Sequence, residues 1–248
     1  MNLLDLFFTN RCILCGEVLP LNNKNFCPTC INSIYAAEIS NYKRDPIEKI
    51  IHCYSYDGAV AHLLKTLKHQ KVKIIRDYFA DKITETIEPD PDFLRCNIIT
   101  CIPRFGKKHT YCQSEYIAKK VAANINVPFY PHLLVKKRNN KSQTKCRSIQ
   151  ERQINVEDLF RIDKTMSINE KTILIIDDIM TTGATLLAAA ETIKTAWASK
   201  IFAATAAYTP MKRKDSIYVY KNPDTMALNK TSEARLYMPK GKTKNDFT

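Results

Sequence analysis

Two stretches of this 248-residue chain carry side chains whose types and spacing can do chemistry. The first is Ile173-Leu-Ile-Ile-Asp-Asp-Ile-Met-Thr-Thr-Gly-Ala-Thr-Leu186. Four apolar residues lead into two consecutive carboxylates, and then into hydroxyls grouped around one glycine. Gly183 permits a positive φ and lets the backbone approach a ligand closely. Thr181, Thr182 and Thr185 offer hydroxyl donors, and a helix opening at Ala184 aims free N–H groups and its positive dipole end at a phosphate dianion. If Asp177 and Asp178 both continue a strand, their side chains point to opposite sides. One can then accept hydrogen bonds from vicinal sugar hydroxyls while the other supports the loop. The run lacks the Gly-Lys-Thr element of a Walker A loop. The chemistry expected of Asp177, Asp178, Thr181, Thr182, Gly183, Ala184 and Thr185 is recognition of a phosphorylated sugar.

The second stretch is Cys12-Ile-Leu-Cys15 and Cys27-Pro-Thr-Cys30, two Cys-x-x-Cys knuckles separated by positions 16 to 26. Two such knuckles bring four thiolates to one tetrahedral Zn²⁺, and Gly16 and Pro20 supply the bends a compact loop needs. Four thiolates leave no open coordination position, so the expected zinc is structural and holds together a module too small to fold by burial alone. The other five cysteines, Cys53, Cys96, Cys101, Cys112 and Cys146, show no ligand spacing and read as packing or surface residues.

The surrounding periodicities say which elements must position these groups. Residues 1 to about 35 show turn chemistry between the cysteine pairs. Ile50 to Tyr56 alternates like a strand, and Val60, Leu63, Leu64 and Leu67 line one face of a helix over Ala59 to Lys68. A second helix is predicted over Ile74 to Ile87, a buried strand over Asn97 to Ile102, and a third helix over Gln113 to Asn124. Lys136 to Arg152 is basic and polar and reads as a loop. Thr172 to Ile176 is the strongest strand, followed by a turn over Asp177 to Gly183, a helix from Ala184 to about Ala196, and a strand over Ile201 to Tyr208. That order is a parallel crossover unit, in which ligands bind at the carboxyl ends of the strands. Beyond Pro210 the chain is rich in Lys and Asn and reads as a tail.

Lys+Arg 38 against Asp+Glu 25 gives a net charge of +13, a balance that attracts polyanions and makes nucleic acid a candidate partner. The apolar runs are too short for a bilayer span, so no membrane insertion is expected. The N-terminal Met1-Asn-Leu-Leu-Asp-Leu-Phe-Phe reads as an amphipathic element and lacks the features of a secretory signal. Nine cysteines without an export signal point to a reducing, cytoplasmic location.

The acid pair followed by Thr-Thr-Gly-x-Thr resembles the 5-phosphoribosyl 1-pyrophosphate (PRPP) motif of the type I phosphoribosyltransferases. Further pieces occur in the order seen in ComF proteins. They are Tyr56-Asp-Gly58 with Leu63-Leu-Lys-Thr-Leu-Lys68, Ile102-Pro103, Gln113 with Ile117-Ala118, Gln143-Thr-Lys145, and Arg152-Gln-Ile-Asn-Val156 leading to Phe160. With the four N-terminal cysteines the likeness spans about residues 8 to 210. It implies an α/β fold of the type I phosphoribosyltransferase kind, a Rossmann-like parallel sheet with flanking helices, preceded by a small four-cysteine zinc knuckle. The implied domains are a zinc module over 1–40, a phosphoribosyltransferase-fold domain over 41–210, and a basic extension over 211–248.

The resemblance further implies PRPP or a related ribose 5-phosphate as ligand, with Mg²⁺, and a pyrophosphate neutralised by Lys107, Lys108, Arg147 and Arg152. It identifies no catalytic group and no acceptor. The basic loop after Pro103, Arg104-Phe-Gly-Lys-Lys-His-Thr-Tyr-Cys112, is shorter than the family's and lacks its Arg-Gly pair. ComF proteins are associated with natural competence, which implies single-stranded DNA and competence or recombination proteins as partners. Lys136, Lys137, Arg138, Lys141, Lys145 and Arg147 are the residues to track a phosphodiester strand, with Tyr111 and Tyr130 as stacking faces. A transferase acting on an unidentified acceptor and a PRPP-sensing regulator are the other two readings.

Overall fold

A computed structural model of the chain describes residues 10–20, 25–35, 40–70, 72–104, 112–137, 159–163 and 166–209. The chain divides into two units, Met1–Ser216 and Ile217–Thr248, and every described residue belongs to the first. Its elements run α1 (Pro28–Tyr35), β1 (Ser40–Arg44), β2 (Ile47–Ser55), α2 (Gly58–Gln70), α3 (Lys73–Ile87) and α4 (Pro91–Leu94). They continue with β3 (Ile98–Cys101), α5 (Gln113–Asn124), β4 (Leu134–Lys136), β5 (Phe160–Ile162), β6 (Thr172–Met180), α6 (Ala184–Lys194) and β7 (Lys200–Tyr208).

Five strands form one sheet in the order β1-β2-β7-β6-β3. The last four are parallel, and β1 closes one edge as the antiparallel arm of a hairpin with β2. Strand β6 shows why the sheet is two-sided. Ile173, Leu174, Ile175 and Ile176 are all fully buried. Leu174 and Ile176 pack with residues of α2, α3 and α5, whereas Ile173 and Ile175 pack with α6 and the β4–β5 hairpin. An unbroken apolar run is what a strand covered on both faces requires. Strand β7 is rich in alanine, and Ala203 shares a cluster with Ala188, Ala189 and Ala190 of α6. Side chains this small bring helix and sheet close together.

The helices follow their apolar spacing. Helix α3 buries Ile75, Phe79, Ile83 and Ile87 at intervals of four. Residues of the cysteine-bearing segment, including Leu19, Phe26 and Ile34, belong to the same apolar cluster as α2 and α3. The Phe26 ring meets Tyr78 edge-on at 4.9 Å, and the Tyr78 hydroxyl lies 2.8 Å from that of Tyr54 on β2. Among the described residues no helix is long and apolar enough to cross a membrane.

Two sequence expectations change. Strand β6 does not turn at Asp177 but continues to Met180, because β7 extends to Tyr208 and keeps supplying ladder partners. Lys136 is not loop: it ends β4 and pairs with Phe160 across a hairpin. Both changes arise from pairing between distant segments, which local composition does not encode.

His52 on β2 lies directly across from Thr205 on β7, with Nδ1 2.6 Å from Oγ1. The Thr205 hydroxyl gives its only proton to the Ala207 carbonyl at 3.0 Å, so His52 Nδ1 is the donor in this pair. Burial holds the neutral ring and lowers the imidazole pKa from 6.5 to about 4. The unfolded chain therefore takes up this proton first as the pH falls. The contribution is intact above pH 6.5 and is lost as the pH drops toward 4. Denaturant unfolding followed across that window is expected to show roughly 3 kcal/mol of lost stability from this site, and His52→Gln is expected to flatten the slope.

Candidate functional site

The acid pair is set by strand pairing. On one edge, β3 pairs with β6 only as far as Cys101 opposite Ile176. On the other, β7 stays in register to Tyr208 opposite Met180. Asp177 and Asp178 thus sit on the part of β6 that outruns β3, where among the described residues no strand pairs with the edge facing β3. The first turn of α5 meets that edge. Ser114 Oγ donates to Asp177 Oδ1 at 2.8 Å and lies 3.4 Å from Asp178 Oδ1. Backbone N–H groups finish the arrangement, Asp178 to Asp177 Oδ1 at 3.0 Å and Ile179 to Asp178 Oδ1 at 3.0 Å.

Asp177 is buried and Asp178 half-buried. Burial, followed by the adjacent Asp178 carboxylate, holds the Asp177 carboxyl well above the usual carboxylate range, against the opposing pull of Ser114 and the Asp178 N–H. Lys136 at the end of β4 lies within electrostatic range of Asp177, its ammonium 6.0 Å over the Phe160 ring. Burial holds the Lys136 pKa below its ordinary value, and the nearby acid opposes that shift. The hairpin therefore brings one of the expected nucleic-acid lysines toward the acid pair. Lys137, the next residue, is exposed.

After Met180 the chain makes one tight turn into α6. Thr181 and Thr182 are exposed, Gly183 is buried with φ +76°, and Ala184 and Thr185 are half-buried at the helix start. Thr182 Oγ1 accepts from Ala184 N at 3.4 Å. The first turn of α6 carries no acid, so its positive end is not offset locally. Arg44, from the β1–β2 hairpin, donates through Nη1 to the Thr182 carbonyl at 2.6 Å. Sequence reasoning missed both Arg44 and Ser114. Each is a single unremarkable residue far along the chain from β6, and folding alone brings it there.

Of the other expected residues, Lys107, Lys108, Tyr111, Arg138, Lys141, Lys145, Arg147 and Arg152 lie outside the described residues. Tyr130 is exposed beyond β3, on the segment whose Phe129 bridges Ile99. A groove of about 1110 Å³ runs between α6 and β5 past Phe160, Met166 and Trp197, but it includes neither Asp177 nor Asp178 and no residue of the turn over 181–183.

The four cysteines converge. The Sγ atoms of Cys12, Cys15, Cys27 and Cys30 all lie within 4.8 Å of one another. Cys15 and Cys27 are 3.7 Å apart, and a tetrahedral zinc with Zn–S bonds of about 2.3 Å needs sulfur–sulfur edges of about 3.8 Å. Each knuckle has its own local support. Gly16 N donates back to the Cys12 carbonyl at 2.9 Å with φ +76°, and Cys27 leads into α1 through Ile31 N to its carbonyl at 2.9 Å. Burial raises the Cys12 pKa, but backbone N–H groups of Cys15, Cys27 and Leu14 outweigh it and bring it down to about 6. Burial and the neighbouring thiols push Cys30 up. Without a cation the four sulfurs cannot all ionise together, and a divalent soft metal resolves that conflict. The donor set fits structural zinc.

Two outcomes follow from this geometry. A Cβ on Gly183 would come within 2.8 Å of Arg44 Nη1 and 3.3 Å of Met180 Sδ. The arginine tip can swing away, so the cost of Gly183→Ala is chiefly the left-handed backbone, about 1 to 2 kcal/mol by denaturant titration, with loss of the Arg44 contact to Thr182. Elemental analysis of the purified chain is expected to give about one zinc per molecule, with chelation or Cys12→Ser lowering the melting temperature by several degrees. Zinc-free protein of unchanged melting temperature would exclude a structural metal.

No curated protein matches this chain. Among solved structures it is similar to a hypoxanthine phosphoribosyltransferase from Staphylococcus aureus, with 17% identity over 58% of this chain and 71% of that one and a TM-score of 0.38. A purine phosphoribosyltransferase from Pyrococcus horikoshii matches at 16% identity over 55% of this chain and 77% of that one, TM-score 0.37. The glutamine PRPP amidotransferase of B. subtilis matches at 15% identity over 52% of this chain, TM-score 0.37, and there the match spans only 25% of the amidotransferase chain. The profile of the phosphoribosyl transferase domain matches residues 112–236, half of the sequence, and this chain belongs to that family.

Proposed function

We propose that the chain binds PRPP or a related ribose 5-phosphate ligand at the end of β6. The observation that supports this most is the continuity of the site: two carboxylates on one strand end lead, without a break, into a glycine turn and the N-terminus of an 11-residue helix. One acid of the pair accepts hydrogen bonds from the vicinal ribose hydroxyls while its neighbour supports the strand end. The N–H groups of the turn, together with the Thr181, Thr182 and Thr185 hydroxyls, take the 5-phosphate. Mg²⁺, when bound with the ligand, offsets the charge of the pyrophosphate. Lys107, Lys108, Arg147 and Arg152 are the residues of this chain assigned to the same task.

The finer reading is that of a ComF-like protein acting on single-stranded DNA in natural competence, on the cytoplasmic side. Its support is the family resemblance, the net charge of +13, and the basic run Lys136-Lys-Arg138. Transfer of the phosphoribosyl group to an acceptor is the alternative. It needs the basic loops to neutralise a departing pyrophosphate and an acceptor nucleophile that the chain itself does not identify.

Calorimetric titration with PRPP and Mg²⁺ tests the reading. Wild-type protein is expected to bind, and Asp178→Ala to lose roughly 100-fold in affinity, since about two charge-assisted hydrogen bonds disappear. Full affinity in Asp178→Ala would mean the sugar sits elsewhere. In the same preparation, release of pyrophosphate with any base or amine establishes transfer. Salt-sensitive binding of labelled single-stranded DNA, weakened by changes at Lys136, Arg138 and Lys141, supports the competence reading.

A further inference from the structure

The two acids are adjacent in sequence but not equivalent in space. Asp177 is 8% exposed, and Ser114, which is 5% exposed, gives its one hydroxyl proton to Asp177 Oδ1 at 2.8 Å. The same oxygen receives the Asp178 N–H at 3.0 Å. Both lone-pair directions of Asp177 Oδ1 are therefore taken up by the protein. The neighbouring Asp178 side chain pushes the Asp177 carboxyl further up. Asp178 keeps exposed surface and accepts the Ile179 N–H at 3.0 Å. Ser114 is more distant from it, at 3.4 Å.

Two carboxylates this close in a dry corner cannot both stay ionised, and the more deeply buried one keeps the proton. The groups facing Asp177 from other elements leave that outcome in place. Cys101 on β3 and Cys112 before α5 are buried thiols that burial keeps protonated, and Lys136 on β4 is a cation within electrostatic range. Lys136 favours an ionised Asp177, but burial remains the largest influence on that carboxyl.

We propose that the acid pair divides its work: Asp177 is a neutral support anchored to α5 by Ser114, and Asp178 is the single charged group presented to the sugar. Ser114 is then the positioning residue of the pair. Its hydroxyl fixes Asp177, and Asp177 in turn donates a hydrogen bond that orients the Asp178 carboxylate. This inference rests on the sugar-phosphate reading of the site.

Two measurements on the whole 248-residue chain as purified test it. In the ligand-free protein, carboxyl ¹³C NMR of labelled aspartates is expected to show one protonated carboxyl at neutral pH that disappears in Asp177→Asn. If that carbon is instead ionised at neutral pH, the assignment is overturned. In calorimetry with ribose 5-phosphate, Asp177→Asn preserves an acceptor for Ser114 and a donor for Asp178 and is expected to lose no more than about 5-fold in affinity. Asp178→Asn is expected to lose about 100-fold. Ser114→Ala is expected to lose about 10-fold at unchanged melting temperature, and Ser114→Thr to restore most of it. Equal losses at Asp177 and Asp178, or no rescue by threonine, would overturn the division. If wild-type protein takes up no ribose 5-phosphate, the sugar-phosphate reading fails, and the NMR measurement alone decides which acid holds the proton.

Discussion

Strand β6 is hydrogen-bonded on both edges and buried on both faces through Ile176, so the direction in which it leaves the sheet is not adjustable. Everything at the site inherits that rigidity. Because β3 stops at Cys101 while β7 runs on to Tyr208, the last four residues of β6 have, among the described residues, a strand neighbour on one side. The carboxyl ends of parallel strands are where open α/β sheets accommodate ligands in general. Asp177 and Asp178 lie at the step that the unequal strand lengths create. The first turn of α5, with Ser114, supplies a partner there that β3 does not.

The same logic applies to the turn that follows. Gly183 takes a left-handed conformation that allows β6 to pass into α6 within three residues, so the positive end of the helix begins close to the strand end. Arg44 ties the outer side of this turn through the Thr182 carbonyl. A guanidinium has five N–H donors, and this contact uses one of them. The edge hairpin therefore adds a positive charge beside a turn already suited to an anion.

The cysteine corner is held to the sheet by packing and not merely by chain connection. Phe26 lies against Tyr78, and Tyr78 reaches Tyr54 on the strand beside β7. A metal that gathers Cys12, Cys15, Cys27 and Cys30 thereby also fixes a wall of the apolar cluster under α2 and α3. Binding free energy at such a site is folding free energy, because the unfolded chain has no preformed cage.

Much of this protein is legible in its amino-acid order, for a physical reason: short-range patterns encode local structure and local chemistry. The apolar run into Asp-Asp-Ile-Met-Thr-Thr-Gly, the helical spacing of Leu63, Leu64 and Leu67, and the paired Cys-x-x-Cys knuckles each act within a few residues. Helix Gln113–Asn124 and the strand beginning at Thr172 are read correctly from them. What only the tertiary structure decided depends on groups that meet across long separations. Whether the aspartates lie on strand or turn was settled by the length of β7, and which of them is buried was settled by the seating of α5. Arg44 reaches a turn 138 residues away, and Lys136 leaves its basic run because Phe160 pairs with it. Such encounters are fixed by the packing of whole elements, and no window of neighbouring residues contains them.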